Sequence, residues 1–181
     1  ILTVHYKAEA IKRYFEDGRK WGVSIEYIEE EKRLGTAGSL RLIENPGVTP
    51  LLVMNGDLLT NVDYRLLLHF HQKEGFDLTV GIKSSDFQVP YGIVRLHGKE
   101  ILGVEEKPVQ HFFVNAGIYV VNPEIITLIP KNEYFEMTEL IQKAIDHNVK
   151  VGGFPLHETW FDIGSKQDYE KVKTEQEKIL T

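Results

Sequence analysis

Pro50-Leu51-Leu52-Val53-Met54-Asn55-Gly56-Asp57 is the stretch that decides how this chain reads. A continuous apolar run after a proline has the pattern of a strand covered on both faces. It stops at Asn-Gly-Asp, residues that favour turns. Working forward, Asp63 stands where a helix cap belongs, Leu66, Leu67 and Phe70 make a buried stripe, and Gly75 ends the helix. Leu78 to Ile82 is then another strand. Working backward, Thr36 can cap a helix reaching about Glu44, and Val23 to Ile28 alternates as a strand. Ala8, Ile11, Tyr14 and Phe15 recur at helical spacing before Gly18, a C-cap glycine, and Ile1 to His5 reads as a strand. Strand and helix alternate throughout, which predicts an α/β fold with a parallel sheet.

The second half changes character. Tyr91 to Leu96 and Glu100 to Glu106 flank His97-Gly98 as a hairpin, and Phe112 to Val121 is a long strand. Met137 to His147 is a helix with Leu140, Ile141, Ala144 and Ile145 on one face, followed by a strand over Val149 to Pro155. Ser165 with Asp168 three residues later has the form of a capping box for a final helix. A hairpin inserted into an alternating pattern predicts a mixed sheet in one domain, not two domains.

Composition narrows the function classes. The 181 residues carry 27 acidic and 21 basic side chains, a net charge of −6, and no cysteine. Disulfides, thiolate nucleophiles and cysteine metal sites are therefore excluded. The acidic balance argues against a nucleic-acid partner, which needs phosphate neutralisation. No apolar run reaches the roughly 18–20 residues that span a bilayer, and no signal peptide is recognisable, so no membrane partner and a cytoplasmic location are expected. The seven histidines form no metal pattern, and they read as surface or helix-end residues. No G-x-S-x-G elbow supports a serine hydrolase. The chain opens Ile1-Leu2-Thr3-Val4-His5, without Met, as though cut from something longer.

Open α/β sheets bind ligands beyond the carboxyl ends of their strands. Asp57 lies there, after Gly56, which lets the backbone bend. Such a carboxylate suits Mg²⁺, which takes one or two protein carboxylates plus phosphates. Equally, Asn55-Gly56-Asp57 can be a simple turn. Asp162 sits at a second junction between extended chain and helix start. It could share a cation with Asp57 if their strands are neighbours, or merely favour a helix N-terminus. In Glu105-Glu106-Lys107-Pro108 only one of the two glutamates can face a cleft. Pro108 biases Lys107 towards an extended backbone, which would aim its ammonium at a phosphate; a solvated charged turn is the plain alternative. Gly35 to Gly38 could approach a ligand through backbone groups, although it is no P-loop.

Taken in order, Leu34-Gly35-Thr36-Ala37-Gly38, Asn55-Gly56-Asp57, Tyr91-Gly92, Val104-Glu105-Glu106-Lys107-Pro108, Asn115-Ala116-Gly117-Ile118-Tyr119 and Trp160-Phe161-Asp162-Ile163-Gly164-Ser165 resemble the sugar-1-phosphate nucleotidylyltransferases. The likeness is greatest to the mannose-1-phosphate guanylyltransferase-like branch and covers nearly the whole chain. It implies a Rossmann-like three-layer nucleotidyltransferase fold with a mixed, mostly parallel central sheet and an inserted β-hairpin. It also implies that a sugar 1-phosphate attacks the α-phosphorus of a nucleoside triphosphate, with pyrophosphate leaving. On that resemblance Asp57 and Asp162 hold Mg²⁺, Lys107 meets the sugar phosphate, and Glu106 accepts sugar hydroxyls. Tyr91, Gly92 and Asn115 line the sugar pocket, Gly56 belongs to the substrate-binding set, and Gly35, Thr36 and Gly38 stand beside the base, with guanine favoured.

One departure is marked. The family's glycine-rich G-x-G-T-R-L loop and its following lysine, which grip the triphosphate, do not occur in this chain. Residues 1–181 are therefore expected to form a single nucleotidylyltransferase domain lacking its N-terminal phosphate-loop βα segment, close to inactive alone. Strand edges so uncovered could promote a homo-oligomer. Two other readings compete. A non-catalytic nucleotide- or sugar-binding regulatory module would keep the pocket without the loop. A metal-dependent glycosyltransferase would ordinarily show D-x-D, whereas Asp57 follows Asn55-Gly56 and precedes Leu58-Leu59.

Overall fold

A computed structural model describes residues 1–179. In chain order the elements are β1 (Leu2–Val4), α1 (Ala8–Phe15), β2 (Tyr27–Glu29), α2 (Gly35–Gly38), β3 (Leu51–Met54), β4 (Leu58–Thr60), α3 (Tyr64–Glu74), β5 (Leu78–Gln88), β6 (Ile93–His97), β7 (Glu100–Glu105), β8 (Val109–Val121), α4 (Met137–Asp146), β9 (Val151–Pro155), β10 (Trp160–Asp162) and α5 (Lys166–Ile179). Strands β3, β8, β5 and β9 form a four-stranded sheet in that order. β1 pairs parallel with β2, β4 pairs antiparallel with β10, and β6 with β7 makes the antiparallel hairpin. The expected α/β pattern with a mixed sheet and inserted hairpin is therefore present.

The chain divides into two compact units, each assembled from three stretches: residues 1–53, 68–79 and 119–152 in the first, and 54–67, 80–118 and 153–181 in the second. In the first, Leu78, Tyr119, Val120, Val121, Ile126, Met137 and Leu140 are buried. The second buries Leu67, Val80, Ala116, Ile118 and Leu156.

Several local expectations need correction. β3 is not covered on both faces: it ends the order of the four-stranded sheet, and Leu52 and Met54 are 41% and 46% exposed. Stretches covered on both faces are the start of β5, where Leu78 to Gly81 are all buried, and the end of β8, where Ala116 to Val121 are. On α3, Leu67 is buried while Leu66 is 55% exposed, and on α4 Ile145 points outward from Leu140 and Ala144. An i, i+3, i+4 stripe names a face of the helix, but its edge residues reach the core only if a neighbour covers them. α1 ends at Phe15, so Gly18 does not cap it but opens a short 3-10 turn over Arg19–Trp21.

Other signals behave as read. Asp63 caps α3 through its carboxylate on the Arg65 amide at 2.9 Å, and the Arg65 side chain beside it holds the carboxyl below its usual range. Ser165 caps α5, its Oγ accepting the Asp168 amide at 3.2 Å while its hydroxyl donates to the Asp168 carboxylate at 2.5 Å.

Candidate active site

The decisive pairing lies within the second unit. Strand β4, which has no clear signature in the sequence, runs antiparallel to β10 with Leu58 opposite Asp162 and Thr60 opposite Trp160. The pairing continues one step further, because the Ile163 amide donates to the Asp57 carbonyl at 2.8 Å. Asp57 and Asp162 therefore sit on adjacent, bonded segments, the neighbour relation that residue spacing leaves open. The far end of the pair is clasped by the Thr60 hydroxyl on the Thr159 carbonyl at 2.8 Å and the Thr159 amide on Asn61 Oδ1 at 2.9 Å.

Both aspartates are exposed, and among the described residues neither carboxylate has a hydrogen-bond or ion-pair partner. Asp162 is not the cap of α5, since Ser165 fills that place. No set of three or more acidic or histidine side chains that could hold a metal occurs among the described residues. Two uncommitted carboxylates on one strand pair still fit Mg²⁺, which commonly completes its shell with waters and substrate phosphates.

A second cluster, also in the second unit, gathers Gly92 with Glu106. A Cβ on Gly92 would lie 2.9 Å from Glu106 Oε2, so the carboxylate rests against the glycine. Tyr91, Glu106 and Lys107 are exposed. The expectation of an extended Lys107 is wrong. Its φ is +44°, in the left-handed region. The chain bends at Glu106 and Lys107 between β7 and β8, and the Pro108 carbonyl is fixed by the Val89 amide at 3.0 Å. That turn overrides the pre-proline bias, at a cost of order 1–2 kcal/mol for a residue with a Cβ. Asn115, midway along β8 and in the same unit, uses Oδ1 to accept the Gly117 amide at 3.0 Å.

Gly35, Thr36 and Gly38 lie in the first unit, and they are engaged with their own chain. Thr36 does not cap its helix, which is only four residues long. Instead its hydroxyl donates to Glu136 Oε2 at 2.5 Å and accepts the Met137 amide at 2.8 Å, joining the start of α4. The Ala37 and Gly38 amides both donate to the Phe135 carbonyl at 3.0 Å. A Cβ at Gly35 would meet that carbonyl at 2.7 Å, and one at Gly38 would meet the Glu133 carbonyl at 2.8 Å. Close backbone packing is thus a sufficient reason for both glycines.

His71 is the other correction. It is 2% exposed, with Nδ1 bonded to Thr79 Oγ1 at 2.8 Å and Nε2 to Asn122 Oδ1 at 3.1 Å. It is a buried, satisfied core histidine, not a surface one, while His69, two residues away on α3, is exposed.

A family model described as nucleotidyl transferase matches residues 1–179, and the chain belongs to that family. It is 34% identical over 182 residues to a mannose-1-phosphate guanyltransferase of Pichia angusta, an alignment covering 93% of this chain and 49% of the relative. Among solved structures, HddC from Yersinia pseudotuberculosis is similar with a TM-score of 0.71 at 22% identity, covering 97% of this chain and 77% of the other. The inositol-1-phosphate CTP transferase from T. maritima is similar with a TM-score of 0.68 at 23% identity, covering 99% and 76%. These likenesses establish the fold as the nucleotide-diphospho-sugar transferase type. The chain spans about half the length of the curated relatives it matches. Among the described residues no helix is long and apolar enough to cross a membrane.

Proposed function

We propose that the whole protein transfers a nucleotidyl group from a nucleoside triphosphate, GTP by preference, to a sugar 1-phosphate. A phosphate oxygen of the sugar forms the new bond to the α-phosphorus, and the bond to pyrophosphate breaks. The observation that carries this is the β4·β10 pairing, which brings Asp57 and Asp162, both with unpartnered carboxylates, onto adjacent bonded segments. Asp57 and Asp162 would hold a divalent cation, with Mg²⁺ the fitting choice for oxygen donors. When bound, such an ion neutralises charge developing on the phosphates and orients both reactants. Lys107 would bind the sugar phosphate, its left-handed backbone fixing where the side chain leaves the turn. Glu106 would accept sugar hydroxyls beside Tyr91 and Gly92, while Asn115 would contribute its amide donors. Gly56 allows the backbone to bend ahead of Asp57. For Gly35, Thr36 and Gly38, contact with the base rests on the family resemblance alone. Within this proposal residues 1–181 act as one nucleotidylyltransferase domain, and guanine and mannose enter by similarity to the guanyltransferase relatives.

The test uses the full-length protein. Asp57→Asn is expected to lower Mg²⁺-dependent pyrophosphate release on the order of a hundredfold or more, matching several kcal/mol of charge stabilisation. Full activity in that variant would refute the metal assignment. Because the glycine-rich phosphate loop does not occur in these residues, the chain by itself should bind GTP weakly in calorimetry, and micromolar affinity would contradict that. A regulatory module that senses nucleotide or sugar is the second reading, and it predicts ligand binding without pyrophosphate release.

A further inference from the structure

We propose that Asn115-Ala116-Gly117 is the hub that holds the two acid-bearing segments together, with Gly117 and Trp160 as positioning residues; this rests on the metal-site reading above. Two successive residues of β8 reach the two acid-bearing segments, one each, and a third braces them. The Gly117 carbonyl accepts the Asn55 amide at 2.9 Å, two residues before Asp57. The Ala116 carbonyl accepts the Trp160 indole N–H at 2.8 Å, two residues before Asp162. Ala116 is fully buried, so the indole bond has little competition from water. Asn115 closes the kink by accepting the Gly117 amide, which commits its oxygen and leaves its amide group as a donor.

Only glycine fits the kink. Gly117 has φ +70°, and a Cβ there would sit 2.7 Å from Asn55 Nδ2 and 3.0 Å from Asn55 Cγ. A side chain at 117 would therefore push Asn55, and with it the turn that carries Asp57. Loss of the indole N–H would release β10 and Asp162. The Ile163 amide, bonded to the Asp57 carbonyl, reports directly on whether the two segments stay together.

The experiment compares Trp160→Phe, which keeps a ring but removes the donor, with Gly117→Ala and with the double change Asn55→Ala plus Gly117→Ala. Amide exchange at Ile163 is followed by NMR, and Mn²⁺ binding by water-proton relaxation, with Asp57→Asn as the control. In Trp160→Phe, Ile163 exchange should quicken about tenfold, the loss of roughly one neutral hydrogen bond. Asp57-dependent Mn²⁺ affinity should fall several-fold at unchanged far-UV circular dichroism. Gly117→Ala should do the same more strongly, and the double change should recover part of the loss because the blocking atoms are gone. Unchanged Ile163 exchange in Trp160→Phe overturns the hub, and that variant decides the matter if Gly117→Ala does not fold. Quickened exchange with Mn²⁺ relaxation that Asp57→Asn leaves unaltered supports the hub and overturns the metal reading.

Discussion

Glu136 shows how much one side chain can organise. Its carboxylate accepts the Thr36 hydroxyl and amide and the Tyr134 hydroxyl, and it caps α4 reciprocally with Glu139. The bonds from Thr36, then that from Tyr134, hold its carboxyl below the ordinary value of 4.5. A depressed carboxyl stabilises the fold above that value, and the contribution is lost as the pH falls from 4.5 through the lower folded value. Glu136→Gln should therefore lower stability at pH 7 by about 1 kcal/mol, typical of a lost cap. Thermal melts should show wild type and variant converging as the pH falls below 4.5. His71→Phe is expected to be worse, at about 2–4 kcal/mol in urea unfolding, because Thr79 and Asn122 lose their buried partner. Little of this was legible in advance. The Thr36 and Glu136 pairing joins residues 100 apart in the chain, and the residue spacing of the histidines carries no sign of burial.

At the scale of elements, the Leu34-Gly35-Thr36-Ala37-Gly38 segment and the turn before α4 pack backbone to backbone. Gly38→Ala places a Cβ 2.8 Å from the Glu133 carbonyl and 3.0 Å from Leu34 Cβ. Overpacking against a backbone atom should cost about 1–3 kcal/mol, read as a lower denaturant midpoint at unchanged m-value. A null effect would mean the two segments can separate freely, leaving the glycines to be explained by a ligand. Strands with strong patterns, the hairpin, the start of β5 and the end of β8, were readable because apolar residues and turn residues mark them locally. β4 was not, since Leu58-Leu59-Thr60 is three residues long and extends only because β10 lies beside it. That short pairing nevertheless joins the two acids. The apolar run of β3 shows the opposite error: hydrophobicity permits burial on both faces but does not supply the covering layer.

For the whole molecule, neither compact unit is a continuous piece of chain, and the polypeptide passes between them repeatedly. Each unit contains one of the two tryptophans, Trp21 in the first and Trp160 in the second. Strands β5, β8 and β9 each contribute residues to both units, so one cooperative transition is expected. Fluorescence of Trp21→Phe, reporting Trp160, should coincide with far-UV circular dichroism in urea, and separated midpoints would show units that unfold independently. Local patterning by itself determined the α/β class, the hairpin, the caps at Asp63 and Ser165, and the ordered motifs that mark the nucleotidyl transferase family, because each is written in short-range residue spacing. Only the tertiary structure decided that Asp57 and Asp162 are neighbours, that Lys107 is left-handed, that His71 is buried, and that Gly35 and Gly38 face backbone. Each of those depends on which distant segment lies alongside, and long-range contact leaves no periodic trace in the residues that make it.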